Sequence, residues 1–352
     1  MTPETAGPML ALLAPSRLEP WLDIHVPQLG DGPLCAELLA GGVANAVYRI
    51  TRGGEAAVLR RPPASPRPAS NRNIAREARV LGALTGTGVP CPQLHGFCED
   101  PEVLGVNFLV MEHVEGWLGR RPIAPFDRPG PERHAMPFAL VEGLAELAQQ
   151  DYRALDLDGF GKPEYFLERQ VDRWLAELAS YKDSENYAGR EIPGLAYVTD
   201  WLRANTPAMT TPGIIHGDYS LANVFFRNDP PTRLAAIIDW EMSTIGDPLL
   251  DLGWLLYAYN GRDQKTPPAG TFDPTDFPTR DDLAEHYAAV SGRSIAHLTY
   301  YLILAQFKLG VIMERNYARS LIGRQNRERG EYSRQHVLRL FAKAEAMARG
   351  EP

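Results

Sequence analysis

Between Gly213 and Glu241 the chain twice runs an apolar stretch into a group of acids and amides, and this pattern restricts the fold more than any other. Ile214-Ile215 leads into His216, Asp218 and, five positions after that aspartate, Asn223. Ala235-Ala236-Ile237-Ile238 leads into Asp239 and Glu241. Short apolar runs bounded by turn residues read as buried strands, so both polar groups sit just past strand ends. A carboxylate able to take a hydroxyl proton, plus an amide and a second carboxylate for a hard cation, is the set that phosphoryl transfer from a metal-bound nucleotide requires. A zinc centre is not indicated, because His216 has no second histidine or cysteine at ligand spacing.

Composition narrows the setting. The 352 residues are 44% hydrophobic and 23% charged, enough for a large core in one or two domains. A formal net charge of −8 argues against a nucleic-acid partner, whose phosphates reward a basic face. It leaves an anionic small molecule open, since arginines can cluster locally. Cys35, Cys91 and Cys98 form no C-x-x-C and cannot all pair, as expected of reduced thiols. The first twenty residues lack the charged-then-apolar pattern of a secretory leader. The most apolar long stretch, His297 to Met313, is interrupted by Gln306 and Lys308 and is too short to span a bilayer. The expectation is a cytoplasmic protein with no membrane partner; its state as monomer or homodimer stays open.

Strand-like runs at 35–40, 46–51 and 56–60 come first, the last two joined by Arg52-Gly53-Gly54-Glu55. Four prolines between Arg60 and Pro68 predict a loop. Apolar residues at Ile74, Ala78, Leu81 and Leu84 then predict a helix over 71–84, and strands follow at 93–98 and 107–114. From Arg133 onward the periodicity is helical, over 133–150, 165–181, 195–205, 248–259, 281–290, 295–321 and 327–349. The simplest organisation is a small sheet lobe over 1–115 and a larger, mainly helical lobe over 116–352.

The five-residue interval from Asp218 to Asn223 equals that between the aspartate and asparagine of the protein-kinase catalytic loop. Chemistry then assigns roles. Asp218 accepts or orients the hydroxyl proton. Asn223 and Asp239 offer oxygen ligands to Mg²⁺. His216 is better placed to support the loop than to carry a proton.

H-G-D-Y-S-L-A-N-V-F-F together with I-D-W-E-M-S-T-I-G-D-P-L-L-D-L resembles the aminoglycoside phosphotransferase family, relatives of choline kinases, and within it the branch joined to acyl-CoA dehydrogenases. L-A-G-G-V-A-N-A-V-Y-R-I, V-L-R-R-P-P, R-E-A-R-V-L and F-L-V-M-E-H-V-E-G agree, so the resemblance runs from about residue 35 to about residue 325. It implies an α+β, protein-kinase-like bilobal fold: a small antiparallel N-lobe with one key helix, and a larger helical C-lobe. It also implies a small-molecule O-phosphotransferase that moves the γ-phosphate of Mg-ATP or GTP to a hydroxyl, on a hydroxyacyl-CoA-like metabolite rather than a drug.

On this pattern Gly41 and Gly42 let backbone N–H groups approach phosphates, with Asn45 beside them. Arg60 stands where kinases carry a lysine, and Glu77, seventeen residues later, is its expected ion-pair partner. Strand alternation turns one of Arg60 and Arg61 outward, and spacing alone does not say which. Glu112 to Val114 would meet the adenine edge. Asp251 would brace the catalytic loop through backbone hydrogen bonds. The acceptor would bind near Trp240, Glu241, Trp254, Tyr257 and the segment 308–319, with the basic run Arg315, Arg319, Arg324, Arg327 and Arg329 suiting an anion or serving as a solvated face. Two departures, Ala44 for a usual serine and Ala148 for a usual histidine, keep a second reading in play, a nucleotide-binding ligand sensor with little turnover. A protein kinase is disfavoured because only seven residues separate Asp239 from Asp247, leaving no activation segment.

Overall fold

The protein is described from a computed structural model that covers residues 13–41, 45–63, 65–209, 211–259 and 276–351. The chain forms two compact units. The first comprises Met1–Asp127, Asp151–Phe160 and Leu221–Ser243; the second comprises Arg128–Gln150, Gly161–Ser220 and Thr244–Pro352.

The first unit is built on a five-stranded antiparallel sheet of β1 (Cys35–Gly41), β2 (Ala46–Arg52), β3 (Glu55–Arg61), β4 (Leu94–Cys98) and β5 (Phe108–Glu112), in the order β1-β2-β3-β5-β4. Gly53-Gly54 closes the β2–β3 hairpin with Arg52 opposite Glu55. β3 continues through Arg61, two residues into the segment expected to be loop, because the prolines that break it begin only at Pro62.

Helix α1 (Pro15–His25) buries Leu18 and Leu22 in a core shared with Val26, Tyr48, Ile50, Leu59 and Phe108. Helix α2 (Ser70–Leu84) buries Ile74, Glu77, Ala78, Leu81 and Leu84, the three- and four-residue recurrence of a single face. Glu77 is the one charged side chain on that buried stripe. The short helix α3 (Pro101–Leu104) precedes β5. Three further strands, β6 (Trp117–Leu118), β8 (Val224–Phe226) and β9 (Leu234–Ile237), make a separate antiparallel sheet in the order β6-β8-β9.

The second unit is mainly helical. It contains α4 (Pro131–Gln149), α5 (Glu168–Ser184), α6 (Leu195–Ala204), α7 (Leu249–Ala258), α8 (Arg280–Ser291), α9 (Leu298–Leu321) and α10 (Arg327–Ala348). Helix α9 runs through its middle, with Ile303, Leu304, Ala305, Phe307 and Val311 buried. A two-stranded sheet pairs β7 (Gly213–Ile215) with β10 (Thr244–Gly246), which fixes the start of the catalytic-loop motif against the start of α7. The fold class is α+β, with the small antiparallel sheet in one unit and most of the helix in the other. Among the described residues no helix is long and apolar enough to cross a membrane.

Candidate active site

In the first unit, strand pairing brings the amide and the carboxylate together. Val224 lies opposite Ile237 in the β8–β9 ladder, and the Ile238 N–H donates to the Asn223 carbonyl at 2.8 Å. Asn223 is thus the last residue before β8, and Asp239 lies two residues past the end of its partner strand. Asp239 itself is left-handed, with φ 68° and ψ 59°. Aspartate tolerates that region better than most residues, and such conformations cluster at functional positions.

Arg60 joins three carboxylates there. Its Nε lies 3.0 Å from Glu77 Oε2, and one Nη donates to Asp239 Oδ1 at 2.8 Å and to Glu241 Oε2 at 3.3 Å. Asn45 Nδ2 donates to the same Glu241 oxygen at 3.0 Å. Glu77 is 1% exposed and Arg60 8%. Burial pushes the Glu77 carboxyl up to about 7; Arg60 pulls it back, while Asp239 and Glu241 raise it further. Burial works to lower the Arg60 guanidinium, but Glu77, Asp239 and Glu241 together hold it above its ordinary value.

This group fits a divalent cation by charge. One guanidinium set against Glu77, Asp239 and Glu241 leaves two negative charges uncompensated when all are ionised. Among the described residues no three acidic, histidine or cysteine side chains converge on one metal position. Mg²⁺ does not need such a cage: it keeps water and takes one or two carboxylates plus phosphate oxygens. Asn223 and Asp239, whose side chain is 38% exposed, are the residues that could hold it.

Arg60 and Arg61 depart from the expectation that one would face outward, since both are 8% exposed. Arg60 reaches the acids. Arg61, at the strand end, folds its Nε back onto the Pro62 carbonyl at 3.2 Å. Alternation separates their directions but does not expose either one.

In the second unit, Ile214-Ile215 ends β7 and the chain turns at Gly217, whose φ of 88° favours glycine. Asp251, on α7, accepts from the His216 N–H at 2.6 Å and from the Gly217 N–H at 2.9 Å, one carboxylate oxygen each. His216 is fully buried, and its Nδ1 accepts from the Asp218 N–H at 3.2 Å. The buried Tyr219 hydroxyl donates to the Leu140 carbonyl at 2.8 Å. The backbone from His216 to Asp218 is therefore tied down, with His216 and Asp251 as supports and the Tyr219 hydroxyl anchoring the next residue. Burial raises the Asp251 pKa, while His216 and the two N–H groups lower it.

Other expected positions fall as follows. Gly41 closes β1 opposite Ala46; Gly42 and Ala44 lie outside the described residues. Glu112 ends β5, and its Oε2 accepts from the Gln93 N–H at 3.1 Å. Val114 follows in the irregular segment before β6. Trp240 is not a binding-site wall: it is 1% exposed, and its Nε1 donates to the Ile237 carbonyl. Of the basic run, Arg315 and Arg324 are both engaged with the buried Glu185, at 3.2 and 3.4 Å. Ala148 is buried, and Arg293 donates to its carbonyl at 2.7 Å. Glu241 as a joint acceptor for Asn45 and Arg60 had no signal in spacing; it depends on the short 3₁₀ turn after Asp239.

Comparison with known proteins places the chain in a family. Residues 36–286 match the phosphotransferase enzyme family, APH. The human acyl-CoA dehydrogenase family member 11 is 32% identical over 320 residues, which covers 88% of this chain and 40% of that protein. The corresponding chicken protein is 31% identical, over 86% of this chain and 39% of its own length. The chain thus spans about two fifths of the length of these relatives. Among solved structures, a Ralstonia eutropha protein described as an aminoglycoside phosphotransferase superposes with a TM-score of 0.77 at 28% identity, covering 94% of this chain and 98% of that one. A thermostable mutant of the aminoglycoside phosphotransferase APH(4)-Ia, solved with AMP-PNP and hygromycin B, shares the fold at a TM-score of 0.58 and 16% identity, covering 94% of this chain and 99% of that one. By this match in sequence and fold, the chain belongs to the APH phosphotransferase family.

Proposed function

We propose that the chain is a small-molecule O-phosphotransferase that moves the γ-phosphate of Mg-ATP or Mg-GTP to an acceptor hydroxyl. The observation that carries this reading is the Arg60 cluster, one guanidinium against three carboxyl groups, where the β8–β9 ladder sets Asn223 beside Asp239. Nucleotide handling belongs to Arg60, Glu77 and Asn45, with the Gly41-Gly42 turn on the phosphates and Glu112 to Val114 on the base. Asn223 and Asp239 would hold magnesium, which would supply positive charge against the transferring phosphoryl group.

Asp218 takes the acceptor hydroxyl proton as the new P–O bond forms and the nucleoside diphosphate leaves. General-base assistance of this kind is worth roughly 10²–10⁴-fold. Its backbone is fixed by His216 and Asp251, so the carboxylate needs little reorganisation. In this division, 1–115 grips the nucleotide, and 116–352 supplies the metal ligands, the base and the acceptor site. This stretch of chain recurs within proteins named acyl-CoA dehydrogenase family members, which supports a hydroxyacyl-thioester-like acceptor.

Thermal melting with and without Mg-nucleotide tests the reading. A stabilising shift is expected for wild type and for Asp218→Asn, and its loss for Asp239→Ala. Asp218→Asn should also lose turnover. Absence of any Mg²⁺-dependent shift in wild type would sink the proposal.

A further inference from the structure

Lys308 lies in the middle of α9 and is 7% exposed. Its ammonium lies over two aromatic faces, 5.5 Å from the Trp174 ring centre on α5 and 5.4 Å from that of Trp254 on α7. Among the described residues no carboxylate comes within ion-pair distance of it. A buried cation without an ion pair opposes folding, and such groups are found where function uses them. A methionine would supply the same packing stem without the charge.

Further observations point to a ligand at this place. The buried Trp174 indole N–H has no acceptor among the described residues. The unsatisfied indole N–H and the Lys308 ammonium therefore share one locality, and an oxygen-rich ligand would serve both. The charge on Asp218 acts on Lys308 and on the Tyr257 hydroxyl, while Tyr257 packs edge-on against Trp254 at 5.8 Å. Burial lowers the Lys308 pKa to about 8 against the pull of Asp251 and Asp218, with Arg173 lowering it further. Arg173 also lines a neighbouring cavity of about 320 Å³ with Lys162 and Arg169, which continues the positive character outward.

We infer that Lys308 is the specificity-determining residue of the acceptor subsite, holding a carboxylate or carbonyl oxygen of the acceptor alcohol and repelling polycationic acceptors. This deepens the phosphotransferase reading and rests on it. The Trp174 and Trp254 faces form walls that keep water from competing for the ammonium. Asp218 meets the hydroxyl of the same molecule. An acceptor bearing several ammonium groups would bring like charge against a buried cation, which is unfavourable at short range.

The test is ADP release across hydroxylated compounds in three charge classes. The first holds 3-hydroxy and 4-hydroxy carboxylates and their CoA thioesters; the second, neutral diols and sugars; the third, kanamycin and hygromycin B. Wild type should turn over members of the first class alone. Lys308→Met should lower kcat/KM for them at least 10-fold, chiefly through KM, while Mg-AMP-PNP still shifts its melting temperature. Lys308→Arg should recover part of the loss. Lys308→Met should also melt no lower than wild type, which separates lost recognition from lost folding. Turnover of the neutral or polycationic class by wild type would overturn the inference, as would unchanged KM in Lys308→Met. A wild type that binds Mg-AMP-PNP yet turns over no anionic compound also overturns it. Failure of Mg-AMP-PNP binding would instead strike the underlying kinase assignment.

Discussion

Arg60 and Lys308 are both buried cations, and the protein treats them in opposite ways. Arg60 sits among Glu77, Asp239 and Glu241, with Glu77 at 3.0 Å. Lys308 faces two indole rings. A guanidinium is planar and forked, so it can serve several acids at once, whereas an ammonium is a compact point charge whose pKa moves readily on burial. The first cation is a structural hub whose partners are already present. The second is held in reserve, and the difference separates a site that organises its own charges from one shaped for a visitor.

The contrast should be sharpest in Arg60→Met. That change leaves Glu77 and its acidic neighbours without their counter-charge, and breaking a buried pair in this way costs about 3–5 kcal/mol. Chemical denaturation would measure it. A loss below about 1 kcal/mol would mean that Arg60 is not the hub.

Lys308 should behave in the opposite sense. Its folded pKa of about 8 lies below the roughly 10.4 of a free lysine, so between those values the unfolded chain binds more protons. Relative to Lys308→Met, stability should rise as pH moves from about 8 toward 10, by up to about 3 kcal/mol from this group. The Cys91 thiol, pushed up to about 12 by burial, opposes the rise in both proteins. The gain ends there, because Tyr287 and Tyr301 have pKa values raised by burial and favour the unfolded state once free tyrosine ionises. The rise should vanish in Lys308→Met; a rise that persists would assign it to another group. A smaller effect is expected for Trp254→Leu. Removing one aromatic face costs about 0.5–2 kcal/mol of cation–π attraction and should move the start of the rise to lower pH. No movement would mean that the indole contributes packing alone.

Much of the first region was legible because its signals are local. The five-residue interval from Asp218 to Asn223, the apolar run before Asp239 and the helical stripe carrying Glu77 each follow from short-range periodicity. The family resemblance pairs Arg60 with Glu77, and the two lie 3.0 Å apart. The second region was less legible. The Lys308 environment needs α5, α7 and α9 to pack at one point, and no window of sequence contains that. The fate of Arg315 and Arg324 depended on Glu185, more than 100 residues away. Helix α1 carries prolines at both Pro15 and Pro20 and announced itself only weakly, although Leu18 and Leu22 are fully buried.

The discontinuous make-up of the first unit has a consequence for synthesis. Residues Leu221–Ser243 complete it, so the ribosome must deliver about two thirds of the chain before Arg60 can meet Asp239. Until then a buried arginine and a buried glutamate have only each other, and the β6 edge waits for β8. Nascent chains stalled before Leu221 should therefore be more open to proteases and more dependent on chaperones than chains stalled after Ser243.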